Sequence, residues 1–352
     1  MDSKKNQPSA AATRSAQAER IINAALKCDG VELLDPIKFG DGDWENELLF
    51  FIKPEVFFLE KASDMRKMVG FILQNIEKFN AKIDGICVVS GSALEKYNIM
   101  SKHYNFINVM SNAASVSMDA DNKKKIEESF KLAPGKYEIL GGHEYLKEFD
   151  DETMDGLDKL WFKEKSVKLR SGLYLRHFKK NGREIVLVNG FHPKQLAYFT
   201  DNSHKIVLML LHSNTAWSAL KNDMAGATFP EKAAPTSIRG EFYINAKNYG
   251  LKPITVENNC VHLSAGPFEA MAEIVNFFGK ITNMDIKKQQ PLMLKKMLAS
   301  GIAYSKAIET LGNPAVELAS KQTDLFTATE EMDSDKAISI FKETLGKKST
   351  KK

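Results

Sequence analysis

The chain has 352 residues, of which 49 are basic and 45 are acidic, and its formal net charge is +4. A chain of this length can bury a large core, either as one elaborated domain or as two smaller ones. Charges this evenly balanced argue against a polycation dedicated to DNA, so we do not expect nucleic acid as a partner, whereas a small anionic ligand fits the composition.

The cysteine content and the hydropathy of the sequence indicate in which cellular compartment the protein resides. The three cysteines Cys28, Cys87 and Cys260 lie far apart and form no CxxC pair, which argues against a disulfide framework and a cysteine zinc site. No apolar run approaches the roughly 20 residues that span a bilayer. We therefore expect a soluble, cytoplasmic protein without a membrane partner. Residues 1–45 are predicted to be a partly disordered leader; a weak organelle-targeting peptide is the alternative.

The first predicted elements are a strand, a helix and a strand. The continuous apolar run ELLFFIKP, 47–54, is typical of a strand buried on both faces, and Lys53 lies where this strand ends. Apolar residues recur at three- and four-residue steps over 62–79, which predicts an amphipathic helix. The run KIDGICVVS, 82–90, predicts the second strand.

The stretch 111–185 differs in character, and we predict an inserted α/β segment there. It contains charge-rich helical pieces such as DADNKKKIEESFKLA. It also contains the pattern GLYLRHFKKNGREIVLVNG, in which the pair Asn181 and Gly182 favours the tight turn of a β-hairpin.

A second set of core elements follows the insertion. HKIVLMLLH, 204–212, predicts the third strand, a short helix follows, and an irregular loop rich in Gly, Thr and Pro comes next. NNCVH predicts a short last strand, and GPFEAMAEIVNFFG predicts a helix with Pro267 in its first turn. Over 46–279 this order predicts an α+β fold, a ferredoxin-like antiparallel sheet with helices on one face. Residues 280–352 are predicted to be a helical extension that ends in a basic tail.

The residues that carry chemistry lie in a few short stretches. GATFPEKAAPTSIRGEF contains Arg239, and NNCVHLSAGPFEAMAEI places His262 just before a helix. Together with FFIKPE and MRKMVGFILQNIEKF upstream, these stretches resemble the nucleoside diphosphate kinase family. The resemblance covers 47–92 and 190–279, about half of the chain. It implies nucleoside di- and triphosphates as partners and Mg²⁺ that arrives with the nucleotide rather than in a protein metal site. It would also allow a homo-oligomer.

The resemblance assigns the catalytic residues. In that family a histidine takes the γ-phosphate of a nucleoside triphosphate and passes it to a diphosphate. The matching residue is His262, and an imidazole suits this chemistry because it is partly neutral and nucleophilic near neutral pH. Glu273 matches the acid that orients the histidine, and Ser264 matches the hydroxyl that supports this acid. Lys53 matches a cation that assists the transfer.

The remaining matches fall at nucleotide-contacting positions. Lys53 and Arg239 suit phosphate oxygens, which a guanidinium can bind with two hydrogen bonds. Arg66 and Thr228 match phosphate-contacting or site-shaping positions. Asn259 matches a residue that contacts sugar or phosphate, and Phe191 matches the aromatic that stacks on the base. Without the resemblance, the same residues could be solvated charges, turn residues or, for Phe191, core packing.

Several positions depart from the family pattern. A phosphate-binding arginine of the family falls on Asn222, with Lys221 adjacent, and the glycine after the histidine is Leu263. An added segment, INAKNYGLKPI, lengthens the loop before the histidine. A family tyrosine near the phosphates could be Tyr97 or Tyr104, and spacing does not decide between them. The alternative function is therefore a catalytically weak nucleotide-binding or regulatory module of the same fold.

Overall fold

The structure of the protein is a computed structural model that describes residues 9–170 and 172–348. The chain divides into two compact units. The first comprises the residues up to Ala93 and those from Asn202 onward, and the second comprises Leu94–Asp201. The predicted insertion, 111–185, lies inside the second unit.

The helices and strands follow one another along both units. The strands are β1 (Val31–Asp35), β2 (Asn46–Ile52), β3 (Lys82–Ser90), β4 (Glu138–Gly141), β5 (Val167–Arg170), β6 (Leu173–Lys180), β7 (Arg183–Val188), β8 (Lys205–Ser213), β9 (Val261–Leu263), β10 (Ala315–Leu318) and β11 (Lys321–Asp324). The α-helices are α1 (Ala10–Lys27), α2 (Ala62–Lys78), α3 (Gly91–Lys96), α4 (Ile99–His103), α5 (Asn105–Ser117), α6 (Ala120–Phe130), α7 (Gly142–Glu148), α8 (Met154–Phe162), α9 (His192–Thr200), α10 (Trp217–Ala219), α11 (Ile238–Ile244), α12 (Pro267–Ile281), α13 (Leu292–Ala299), α14 (Tyr304–Glu309), α15 (Leu325–Ala328) and α16 (Ser334–Lys348). Short 3₁₀ helices span Pro54–Phe57, Pro230–Lys232, Ala246–Tyr249 and Thr310–Gly312, and a π-helical segment spans Leu220–Ala225. None of the described helices is both long enough and apolar enough to cross a membrane.

The sheet of the first unit has the strand order β1-β3-β8-β2-β9, and all neighbouring strands are antiparallel. The four predicted core strands correspond to β2, β3, β8 and β9. Among these, the first and third strands lie between the other two, which is the split βαβ arrangement expected of a ferredoxin-like sheet. The prediction of an α+β fold is confirmed.

Helices pack on both faces of this sheet. Leu48, Phe50 and Ile52 of β2 join a core that includes α1 and α2. Phe51 lies on the opposite face, where its ring centroid is 5.6 Å from that of Phe277 in α12. The sequence predicted helices on one face only; α2 lies on one face, together with α1 from the predicted leader, and α12 lies on the other. The cause lies in β2, which is apolar at successive positions and so must be covered on both faces.

Much of the predicted leader, 1–45, is folded into the first unit. Ser9 caps α1, because its side chain accepts a hydrogen bond from the N–H of Ala12, and Ile21 and Ile22 of this helix are buried in the core. The strand β1 then pairs with β3. Helix α1 and strand β1 are therefore parts of the fold; residues 1–8 lie outside the described residues.

The second unit has its own sheet of order β4-β7-β6-β5. The pair β4 and β7 is parallel, and the other pairs are antiparallel. Strands β6 and β7 form the predicted hairpin, with Asn181 and Gly182 at positive φ in its turn. The unit starts earlier than the predicted insertion because Met110 and Ala114 of α5 pack into the same core as these strands.

The C-terminal extension packs beside α12. Met293 and Phe341 of the extension share a core with Phe268, and the rings of Phe268 and Phe341 lie 5.4 Å apart. The extension also contains a two-stranded antiparallel hairpin, β10 and β11, which the sequence patterns did not predict. Its turn residues Ala319 and Ser320 adopt positive φ without the Asn-Gly or Asp-Gly pair that usually signals such a turn.

A buried charged trio links the central strands. His212 of β8 lies between two carboxylates, with Nδ1 2.9 Å from Oδ2 of Asp84 and Nε2 2.9 Å from Oε1 of Glu47. Glu47 also accepts hydrogen bonds from the backbone N–H groups of Gly40 and Leu292. Burial alone would lower the pKa of His212, but the hydrogen bonds and charges of the two carboxylates outweigh burial and raise this pKa.

We expect His212→Leu to lower the free energy of unfolding by about 3 kcal/mol, because it removes the buried cation between Glu47 and Asp84 and leaves only the half-exposed Lys82 paired with Asp84. A histidine pKa raised by folding stabilises the fold fully below its unfolded value of about 6.5, and this stability is lost as pH rises through the raised value. Urea unfolding at pH 6 and at pH 9 should therefore show less stability at pH 9 in the wild type and a smaller difference in the variant.

The control for this change is His177→Leu, which removes a partly exposed histidine paired with Glu184. Its cost should stay near 1 kcal/mol or below, as for other exposed ion pairs. Equal losses in the two variants would contradict a special contribution of the buried trio.

Candidate active site

His262 lies on the short edge strand β9, directly opposite Phe51 of β2. The two rings are stacked, with centroids 4.5 Å apart and planes inclined by 17°. The side chain of His262 is 18% exposed. The imidazole is therefore held against the sheet on one side while part of it stays accessible to solvent.

Two side chains orient this imidazole. His262 Nε2 lies 2.9 Å from Oε1 of Glu273, and Oε2 of Glu273 accepts a 2.5 Å hydrogen bond from the hydroxyl of Ser264. The N–H of Leu49 donates to the same hydroxyl oxygen, at 3.1 Å, which ties it to β2. When Nε2–H donates to Glu273, the lone pair of the neutral ring lies on Nδ1. In that tautomer Nδ1 is the ring nitrogen without a proton.

Lys53 lies at the end of β2, next to the segment that precedes His262. Its backbone N–H donates to the carbonyl of Cys260 at 2.9 Å, and its Nζ donates to the carbonyl of Glu257 at 3.1 Å. Burial lowers the pKa of Lys53 to about 8, and the positive charge of Arg239 acts in the same direction. The carboxylate of Glu55 acts in the opposite direction but does not outweigh burial.

Arg239 lies near the start of α11 and is almost fully buried. Its two terminal nitrogens donate to the carbonyls of Gly226, at 2.7 Å, and Val261, at 2.9 Å. Burial lowers its pKa to about 10. Gly226 has φ of +95°, and a Cβ there would lie 2.5 Å from the hydroxyl of Ser237, so this position favours glycine and lets the loop approach the guanidinium closely.

Two buried polar atoms of the site have no hydrogen-bond partner among residues 9–170 and 172–348: Nε of Arg239 and Oδ1 of Asn259. Asn259 Nδ2 donates to the carbonyl of Thr228 at 3.3 Å. Thr228 itself is exposed and lies in a loop. Because buried polar groups are nearly always satisfied, such atoms indicate a place for a ligand or an ordered water.

The structure brings together Lys53, Arg239, Asn259, Ser264 and Glu273 around the strand of His262, with the loop of Thr228 beside Asn259. Arg66 is placed elsewhere, because its helix α2 packs on the opposite face of the sheet from the His262 side chain. Its guanidinium lies 3.0 Å from the carboxylate of Glu19 in α1.

Phe191, Tyr97 and Tyr104 belong to the second unit. The ring of Phe191 lies 5.6 Å from that of Trp161 and 6.0 Å from that of Tyr174. This is the packing role that the sequence left open for Phe191. Its proposed stacking on a base stays a prediction.

Sequence reasoning missed two acidic residues of the site. Glu55, in the FFIKPE motif, accepts a hydrogen bond from the backbone N–H of Cys260 at 2.8 Å, and Cys260 has φ of +66°, which is uncommon for a residue other than glycine. Glu269 lies one helical turn before Glu273. Burial and the neighbouring Glu273 charge raise the pKa of Glu269 to about 8. The sequence does contain a signal for Glu269, because it lies four residues before Glu273 and so on the same face of the predicted helix.

The residues at the position of the absent family arginine, Lys221 and Asn222, contact the C-terminal extension. Asn222 donates to the carboxylate of Glu331 at 3.1 Å. Lys221 forms ion pairs with Glu330 and with Glu331, the second at 3.2 Å. A cation next to the site is therefore neutralised by two carboxylates from a distant part of the chain.

The chain was compared with solved structures and with protein families. A crystal structure of an NDP kinase from Pyrobaculum aerophilum is similar at 19% identity, with 66% of this chain and 95% of that chain covered and a TM-score of 0.32. Residues 162–282 match the family model described as nucleoside diphosphate kinase. This segment contains His262, Glu273 and Arg239 but not Lys53. This match supports a relationship to the nucleoside diphosphate kinase family, which the sequence motifs predicted.

Proposed function

We propose that the chain is a phosphotransferase that moves the γ-phosphate of a nucleoside triphosphate to a nucleoside diphosphate through a phosphohistidine at His262. The observation that carries the proposal is the buried cation pair, Lys53 and Arg239. Both donate hydrogen bonds to the backbone just before His262, and no ion pair of either is found among the described residues, although the charge of Glu55 acts on Lys53. Burying unpaired positive charges costs several kcal/mol, and a bound phosphate would offset that cost.

The proposed reaction follows from the orientation of the imidazole. Nδ1 of His262 attacks the γ-phosphorus, a nitrogen–phosphorus bond forms, and the bond from that phosphorus to the bridging oxygen breaks, so that a nucleoside diphosphate leaves. A second nucleoside diphosphate then attacks the phosphohistidine with a terminal oxygen and regenerates the ring. Glu273 balances the positive charge that the ring acquires while it is phosphorylated, and Ser264 holds Glu273 in place.

In the proposed reaction Mg²⁺ belongs to the nucleotide substrate. Lys53, Arg239 and the amide of Asn259 suit phosphate oxygens, whereas Mg²⁺ prefers oxygen ligands and usually bridges the phosphates of a nucleotide. When bound, the ion would neutralise charge on the transferred phosphoryl group. Lys53 and Arg239 would bind and orient the remaining phosphate oxygens.

The direct test is incubation of the protein with ATP labelled at the γ-phosphate. A covalent label that survives alkali but is lost in acid is expected, because phosphohistidine has this stability pattern and phosphoserine does not. Addition of an unlabelled diphosphate such as GDP should then remove the label and yield labelled GTP. Stoichiometric nucleotide binding without any covalent label would overturn the phosphohistidine mechanism.

The second candidate is a catalytically weak nucleotide-binding or regulatory module. The hydrogen bond from Asn222 to Glu331 favours it, because the family arginine that contacts phosphate at this position is absent. Such a module would bind nucleotides with an affinity similar to that of the enzyme but exchange phosphate slowly. Measuring the rate of labelling beside the dissociation constant separates the two functions.

We expect little discrimination among bases. Lys53 and Arg239 act on phosphates, and stacking on an aromatic ring tolerates every base because each base has a π-face. The measurement is kcat/KM for ATP, GTP, CTP and UTP as donors, which should agree within about a hundredfold. A larger preference would require hydrogen bonds to a base edge and would contradict this expectation. If Phe191→Ala weakens all four donors together, that residue is the stacking platform.

A further inference from the structure

The C-terminal extension carries two adjacent glutamates in the turn 329–331, which we call the acidic turn. This turn is fixed against the strand end that follows His262. The N–H of Glu331 donates to the carbonyl of Ala265 at 2.9 Å, and Glu331 itself adopts φ of +59°. A Cβ at Gly266 would lie 2.7 Å from the carbonyl oxygen of Thr329, so the approach depends on glycine at that position.

The extension is also tied to the sheet just beyond the acidic turn. Asp333 accepts hydrogen bonds from the side chain of Asn46, at 2.8 Å, and from the backbone N–H of Trp217, at 2.7 Å. Ser334 donates to the side chain of Asn46 from its backbone N–H. These contacts are buried or partly buried, so the acidic turn is held by anchors on both sides rather than lying loosely on the surface.

The carboxylates of the acidic turn converge on one cation. Lys221 pairs with both Glu330 and Glu331, and its side chain is only 13% exposed, whereas the two glutamates are 48% and 39% exposed. Lys221 lies on the π-helical segment that ends just before Gly226, the residue whose carbonyl binds Arg239. Ala265, which the acidic turn contacts, donates its N–H to the carboxylate of Glu269 at 3.2 Å, and Glu269 lies one turn before Glu273. The acidic turn therefore acts within the electrostatic field of the His262 site.

We propose that Glu330 and Glu331 are counter-ions that compete with nucleotide phosphates for Lys221, so that the C-terminal extension limits the affinity of the site for nucleotides. This inference rests on the proposed function. In the structure Lys221 is neutralised by two carboxylates, and the same carboxylates repel an approaching polyphosphate. A bound nucleotide would have to replace them as the partner of Lys221. A ligand with more negative charge on its phosphates should therefore displace the two glutamates from Lys221 more easily.

The test compares Glu330→Gln/Glu331→Gln with the wild type by calorimetric titration of ATP and of ADP. Glutamine keeps the shape and removes the charge, so the dissociation constants should fall by about three- to tenfold, a range appropriate to two partly exposed charges. The gain should shrink at high salt, because screening weakens the repulsion. Glu343→Gln, which removes an exposed charge from α16 of the same extension, is the control and should leave both constants unchanged.

The variant Lys221→Gln distinguishes competition for Lys221 from direct repulsion between the two glutamates and the nucleotide phosphates. On its own it should weaken nucleotide binding slightly, and in combination with the two glutamine substitutions it should abolish most of their gain. A gain that persists in full without Lys221 would overturn the proposed competition. Unchanged or weaker binding by Glu330→Gln/Glu331→Gln would also overturn it, since the glutamates would then be neutral or would position Lys221 for the ligand. Thermal unfolding of each variant checks that the fold is retained.

The same titrations in a His262→Asn background keep this inference apart from the proposed function, because this variant cannot form a phosphohistidine. Tighter binding after the glutamine substitutions supports the competition whether or not the wild type transfers phosphate. Normal labelling at His262 without a change in affinity retains the proposed function and rejects the competition. A chain that binds no nucleotide in any variant rejects both.

Discussion

His262→Ala is expected to abolish covalent labelling by γ-labelled ATP and to lower kcat for phosphate exchange by about four to six orders of magnitude. A covalent nucleophile has no substitute in the same site, and losses of this size are typical when a nucleophile is removed. Nucleotide binding should change far less, because Lys53 and Arg239 stay in place. The measurement is pre-steady-state labelling together with the dissociation constant for ADP.

The matched control is His177→Ala, which removes a partly exposed histidine of the second unit paired with Glu184. It should label at the wild-type rate. His192 and His212 are both fully buried, so neither can reach a phosphate in the folded protein. Labelling that survives in His262→Ala would show that another nucleophile accepts the phosphate.

The core of the fold could be predicted from sequence because its elements are locally encoded. The continuous apolar run of β2 and the three- and four-residue periodicity of α2 determine strand and helix without reference to distant residues. The family resemblance implied a contact between His262 and Glu273, and the position of Glu273 about two turns into the following helix is compatible with it. That contact is present, at 2.9 Å.

Other features depend on partners that lie far away in sequence. The start of the chain, 1–20, is rich in Ser, Ala and basic residues and is compatible with a leader, yet α1 is stabilised by burying residues such as Ile21 against a core built from later strands. Arg66 has suitable chemistry for phosphate, but the direction of its helix turns it toward Glu19. Glu331 is separated from Asn222 by 109 positions, and no local pattern predicts such a contact.

Lys53 should give the site a characteristic dependence on pH. Its pKa of about 8 means that the free protein carries a positive charge there below pH 8 and loses it as pH rises further. Since only the charged form attracts phosphate, kcat/KM should fall about tenfold for each pH unit above 8. Arg239, with a pKa of about 10, stays charged over most of this range. Glu269, whose pKa is also about 8, loses its proton in the same range, so variants of Lys53 are needed to separate the two groups.

Two substitutions separate the charge of Lys53 from its shape. Lys53→Met should lower kcat/KM at pH 7 by about two to three orders of magnitude, the usual cost of removing one donor that stabilises transition-state charge, and should remove the alkaline decline. Lys53→Arg should retain part of the activity without the decline near pH 8, because a guanidinium stays charged there. Lys67→Met, which removes an exposed lysine of α2, is the control and should behave as the wild type. If the decline persists in Lys53→Arg, another group causes it, and the buried ammonium is not the one that binds phosphate.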